Sequence, residues 1–139
     1  MENTKKRSEC PLSCSLDIFG DKWSLLIMRD MMFFNKSTFG DFAKSQEGIA
    51  TNILTARLQN LEEQDLIQKL DHPTSKAKVL YKLTNKAIDL LPIIIEIQLW
   101  ADKYMEIPSE IKAQIKEAKK NKDEFIMAMT KKLKKQIAS

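Results

Sequence analysis

The sequence predicts a mostly α-helical chain with one small β-hairpin, and three observations carry that reading. Its 139 residues include only three glycines and four prolines, so irregular loops are scarce. Apolar residues recur at helical spacing over most of the length. The period changes once, between Ile67 and Leu83, where two short strand-like runs flank a cluster of turn formers. The length suits one domain with a modest core, and 43% hydrophobic with 30% charged residues places it in the soluble globular class.

Each element has a local reason. "CPLSCSLDIFGDKWSLLIMRDMMFF" puts Leu12, Leu16 and Phe19, then Trp23, Leu26, Ile27 and Met31, at helical positions. The pattern breaks at Gly20–Asp21, which predicts a short helix and then a second one from about Lys22 to Phe33. "NKSTFGDFAKS" predicts another short helix, with Ser37 or Thr38 as N-cap and Phe39, Phe42 and Ala43 turned inward. After the turn "QEG", "GIATNILTARLQNLEEQDLI" predicts a helix over residues 50–63 with a leucine stripe.

The hairpin, residues 67–83, pairs strands at about Ile67–Leu70 and Lys78–Leu83 through Asp71, Pro73, Thr74 and Ser75. Thr84 is expected to cap one long helix, "NKAIDLLPIIIEIQLWADKYM", with a kink or the local loss of one backbone bond at Pro92. From Leu90 to Trp100 this helix is apolar on more than one face, which suits either a central core helix or one packed on its own domain and on a second copy. The second reading, a homodimer, is the expected one because one small domain has few layers to surround it. A basic, amphipathic C-terminal extension follows. Ile111, Ile115 and Ala118 share one face, as do Phe125, Met129 and Leu133, with a break between Asn121 and Asp123. The expected division is residues 1–107 for DNA binding and dimerisation and 108–139 for the extension.

Helix, short helix, turn, helix and hairpin is the order of a winged helix-turn-helix. Its second paired helix fits the major groove of duplex DNA and its hairpin reaches beside it. Double-stranded DNA is therefore the expected partner. On a helical wheel with Thr51 at zero, Thr55, Gln59, Asn52 and Ala56 span roughly 40–140°, while Ile53, Ala50, Leu61, Leu54 and Leu58 fill about 200–340°. Thr51, Asn52, Thr55 and Gln59 are the candidate base readers, since Asn and Gln pair with adenine and Thr meets a thymine methyl. Glu62 and Glu63 would be repelled by phosphate, so only the first half of the helix is expected in the groove. Arg57 falls near ~240°, within the apolar arc. There it snorkels, pairs with an acid at the core edge, or reaches a phosphate. In the wing, Lys76 and then Lys78 are the phosphate candidates, with Lys36 before the short helix a further one. Lys69 and Lys82 add local charge, and His72 reads as a surface turn residue.

The net charge is +4, but residues 110–139 hold nine lysines and four acids, leaving the rest at −1. Recognition must therefore rest on local patches. No phosphate loop or dinucleotide fingerprint occurs, and no cofactor is expected. Two cysteines, Cys10 and Cys14, are too few for a disulfide framework, and one histidine leaves a zinc site short of ligands. A thiol-dependent enzyme would need a base near Cys10, and the sole histidine is distant in sequence, so a non-enzyme is expected. The longest apolar run, Leu90 to Ile95, is too short to span a membrane, and the N-terminal residues lack a signal-type apolar region. A cytoplasmic protein without stable membrane association is expected.

The chain resembles the HxlR-type transcriptional regulators, relatives of the MarR type. The resemblance covers about residues 8–104. It rests on Cys10–Pro11, Gly20–Asp21–Lys22–Trp23 with "LLIMRD", Phe39 and Phe42, the 48–67 stretch, "YKLT" and "PIIIEIQLW". It implies a cytosolic homodimer on a roughly palindromic operator, with the long helix and the N-terminal segment forming the dimer contact. It also implies a sensor role for Cys10, since some members sense thiol-reactive compounds or oxidants through a cysteine there. Lys5, Lys6 and Arg7 would favour the thiolate and Glu9 would oppose it, while the other reading of Cys10 is a buried small hydrophobe. Cys14 reads as a packing residue, and a direct bond between the two on one helix would be strained. Asp21 stands where the family usually has a second glycine, and Ala50 where a capping serine is common, so Thr51 or a backbone group is expected to cap. The extension lies outside the resemblance. The alternative function is a protein-interaction or membrane-surface module that uses this extension.

Overall fold

The computed structural model describes residues 7–138 and is mostly helical with a two-stranded sheet. Its contacts divide the chain after Lys82. The first unit contains α1 (Pro11–Phe19), α2 (Ser24–Phe33), α3 (Phe39–Ala43), α4 (Thr51–Glu63), and strands β1 (Ile67–Asp71) and β2 (Val79–Leu83), the latter ending at the division. The second contains α5 (Asn85–Ile88), α6 (Leu91–Tyr104), α7 (Ser109–Lys120) and α8 (Lys122–Ala138).

In the first unit the corners carry the specificity. Backbone packs so closely at Gly20 that a Cβ would lie 2.3 Å from the Leu16 carbonyl oxygen. Asp21 then caps α2: one carboxylate oxygen accepts from the Trp23 and Ser24 amides at 2.9 Å, and the other from the Ser24 hydroxyl. Thr38 caps α3 in a reciprocal capping box with Asp41. Gly48, at φ +69°, makes the left-handed turn between α3 and α4. Past α4 the Leu66 amide donates to the Leu61 carbonyl and Asp65 adopts φ +60°, a Schellman stop that turns the chain into β1.

Met28, Phe42, Leu54, Leu58, Leu61, Leu66 and Ile67 are among the buried side chains here. Phe42 meets Tyr81 of β2 at a ring separation of 6.2 Å, and Thr38 bridges Leu80, so α3 is tied to the hairpin. No residue of α1 is buried, and Leu12 and Leu16 face solvent.

The expected long helix after the hairpin is two helices. Thr84 does cap, accepting from the Ala87 amide at 3.3 Å, but only the four-residue α5 follows. Pro92 sits in the first turn of α6 instead of kinking a continuous helix. A proline there loses no hydrogen bond, because first-turn amides have no intrahelical acceptor. Leu91, Ile94 and Ile95 are buried along one side of α6. The extension packs back on it: α7 and α8 both contact α6, burying Ile115, Ala118 and Leu133. Lys119 pairs with Asp102 at 2.9 Å, and Lys122 pairs with Glu96. The break between α7 and α8 falls at Asn121, whose side-chain oxygen accepts from the Glu124 amide.

One charged cluster pins the turn between α3 and α4. Arg29 of α2 forms a two-pronged pair with Glu47 at 2.9 and 3.0 Å and also bonds the buried Asp30. The Arg29 fork holds the Glu47 carboxyl down at about 2, against an ordinary 4.5. Arg29→Met strips Asp30 of its main partner and is expected to cost about 2 kcal/mol in denaturant unfolding. Glu47→Gln is milder, about 1 kcal/mol at neutral pH, because the pair is partly exposed. A depressed carboxylate stabilises above its unfolded pKa, so the gap between wild type and Glu47→Gln should close as pH falls from about 4.5 toward 2.

Candidate nucleic-acid interface

Helix α4 is held by Leu54, Leu58 and Leu61, all buried. That side fixes its rotation, so Thr51, Asn52, Thr55 and Gln59 face solvent together. Ile53, expected at the apolar edge, is also exposed, at 37%. It lies about 200° from Thr51, at the boundary of the arc, where the unit supplies too little cover. Ala50 is the N-cap and no side chain caps it. Of the two expected substitutes, Thr51 or a backbone group, Thr51 is the first residue of α4 and not its cap, and among the described residues no side chain accepts from the first-turn amides. The Thr55 hydroxyl donates to the Thr51 carbonyl at 2.9 Å, a local bond typical of helical threonine.

Two contacts tie α4 to the α1–α2 corner. Asn60 Nδ2 donates to the Ile18 carbonyl at 3.4 Å, and Arg57 approaches Asp21 at 3.5 Å. Arg57 thus points to a carboxylate at the core edge, that of Asp21. Burial pushes the Asp21 carboxyl up, but the Ser24 hydroxyl, the Trp23 and Ser24 amides and Arg57 together hold it below the ordinary carboxylate range.

The wing presents Lys76 and Lys78 exposed on its loop side. His72 lies in the turn, where its Nδ1 accepts from the Thr74 amide. Lys78 has neighbours that sequence reasoning did not group with it: Lys44, Lys69 and Lys78 line an open cleft of about 380 Å³ between α3 and the wing, with Phe39, Val79 and Tyr81. Lys36 is placed differently. Its ammonium is half-buried and lies 3.6 Å from Asp30. Cys10, the N-cap of α1, is exposed rather than buried, and both cysteines are free. Arg7 is turned to Asp17 and Ser13, and Lys5 and Lys6 lie outside the described residues.

A family model described as HxlR-like helix-turn-helix matches residues 18–109. The chain belongs to this family. Among HxlR-like relatives, YdeP of Bacillus subtilis, an uncharacterised HTH-type transcriptional regulator, is 30% identical over 75% of this chain and 80% of its own length. YodB, an HTH-type transcriptional regulator of the same organism, is 30% identical over 70% of this chain and 87% of its own. The reduced form of YodB aligns with a TM-score of 0.56 at 26% identity, over 71% of this chain and 97% of that one. The structure of PA1607 aligns with a TM-score of 0.66 at 38% identity, over 74% of this chain and 70% of that one. This HxlR-like protein is a helix-turn-helix transcriptional regulator with a winged fold.

The Asp21 cap, the Arg29–Glu47 clamp and the Lys44–Lys69–Lys78 cleft were all missed from sequence. For Asp21 a signal existed: an aspartate three residues before a serine at a helix start. Asp21→Ala removes the α2 cap and the Arg57 partner together, and thermal melts should show about 1–2 kcal/mol of destabilisation. Asp21→Asn should avoid most of that loss, because the amide oxygen still caps.

Proposed function

We propose that the protein is a homodimeric, non-enzymatic, cytoplasmic regulator that reads a roughly palindromic operator. In this reading the first half of α4 enters the major groove, and the wing, residues 67–83, lies beside it. The observation that carries the reading is the solvent-facing row Thr51, Asn52, Thr55 and Gln59 that starts at the uncapped end of α4, with Glu62 and Glu63 at the far end. Bare amides and the helix dipole favour phosphate or base acceptors at one end, and carboxylates repel DNA at the other. Lys76 and Lys78 then reach phosphates, with Lys36 and Arg57 held back by Asp30 and Asp21. Residues 1–107 carry DNA binding and dimerisation in this account.

Dimerisation is supported by an unpartnered apolar side of α6. Ile93, Ile97, Trp100 and Tyr104 recur at helical spacing and are all exposed, and the first three line with Pro92 and Glu96 a shallow groove of about 440 Å³. Exposed Leu12 and Leu16 on α1 add a second apolar patch.

Thiol sensing through Cys10 is supported by its exposure, its free state and the relatives. YodB has been solved in diamide-treated and quinone-bound forms. Sensing requires an accessible sulfur, and Cys10 provides one.

Asn52→Ala is expected to weaken operator binding about tenfold while leaving non-specific binding nearly unchanged, read by titration against operator and scrambled duplexes. Equal losses on both would remove Asn52 as a base reader. Cys10→Ser is expected to abolish any response of DNA binding to diamide or a quinone; an intact response would assign sensing elsewhere.

A further inference from the structure

The last turns of α8 hold a concentration of charge that the family resemblance does not cover. Lys131, Lys132, Lys134 and Lys135 fall within five residues, and no acid occurs from residue 125 to the C-terminus. These four lysines equal the net charge of the whole chain, +4, so the remainder is neutral.

The structure separates these lysines from those used for packing. Lys119 and Lys122, nearer the α7–α8 junction, are paired with Asp102 and Glu96 and so clamp the extension on α6. The four at the tip are exposed, and no carboxylate lies within ion-pair distance of them among the described residues. Leu133, at their centre, is 1% exposed. It anchors the tip, so the charges stand on an ordered helix. At about 100° per residue, Lys132 and Lys134 flank Leu133, while Lys131 and Lys135 project from the opposite side. A cationic half-cylinder results. The helix dipole favours cations at a C-terminus, which accounts for one or two of them. Four without an ion-pair partner among the described residues add self-repulsion, which a polyanion would relieve.

We propose that the α8 tip is an auxiliary duplex-DNA contact that grips phosphates without reading bases and supplies most of the long-range attraction of an otherwise neutral chain. The proposal rests on the DNA-binding reading above. Its chemistry is that of counterion release: each neutralised phosphate steepens the salt dependence of binding by about 0.9 in log K against log salt.

The test uses the full chain with Lys131, Lys132, Lys134 and Lys135 all changed to Gln, with Leu133 kept, and titrates operator and scrambled duplexes across a salt series. The slope is expected to fall by about 2–4 per bound protomer on both duplexes. Replacement of the same four by Arg should restore it, which guards against a folding defect. A control, Lys112→Gln with Lys116→Gln on α7, should change the slope by less than about 1. Operator binding by the wild type with an unchanged slope in the four-Gln variant would overturn the tip contact and leave the regulator reading standing. A control that lowers the slope as much as the tip variant also overturns it, since net charge and not place would then matter. Sedimentation with phosphatidylglycerol vesicles that depends on the tip, with the DNA slope unchanged, assigns the tip to a membrane surface and overturns it as well. A wild type that binds no duplex at any salt contradicts both readings together.

Discussion

The burial of Leu54, Leu58 and Leu61 is the constraint on which the rest depends. Three leucines at helical spacing, each nearly inaccessible, leave α4 one rotational setting. Rolling the helix by one position would expose leucine and bury Asn52 or Gln59 without partners, at a cost of several kcal/mol. The polar set therefore faces outward as a consequence of core packing. In the proposed reading, the outward setting of Thr51, Asn52 and Thr55 is thus inherited from buried leucines.

Polar ties then fix where α4 points. Arg29 and Glu47 hold the turn that precedes it, and Asn60 and Arg57 reach back to Ile18 and Asp21 at the α1–α2 corner. The same corner ends the helix whose first turn follows Cys10. A change at the N-terminal end of α1 thus has a short physical route to α4 through packed backbone and two side-chain contacts. In the second unit, the inner side of α6 is satisfied by α7 and α8, while Ile97, Trp100 and Tyr104 remain uncovered.

Much of this was legible in sequence where the signal is local and periodic. The leucine stripe, the Thr38 and Thr84 caps and the change of period at the hairpin all follow from neighbours within a turn or two. What was misread lay at boundaries. Pro92 is compatible with a kink or a helix start, and only the packing of α5 decides between them. Ile53 sits on the edge of the wheel, where a few degrees separate cover from exposure. What was invisible is non-local: Arg29 and Glu47 are 18 residues apart, and Lys44, Lys69 and Lys78 converge from three elements. No single window of sequence contains those pairings.

The proposed function turns on α4 reading bases in the major groove, one copy per half-site of a two-fold target. Selection of bound fragments from random duplex DNA, followed by interference with guanine N7 methylation, tests it most directly, because N7 lies in the major groove. An enriched inverted repeat is expected, with half-sites centred about one helical turn, or a multiple of it, apart and with interference inside each half-site. Recovery of no sequence above the random background, or of a single asymmetric site insensitive to N7 methylation, would contradict it.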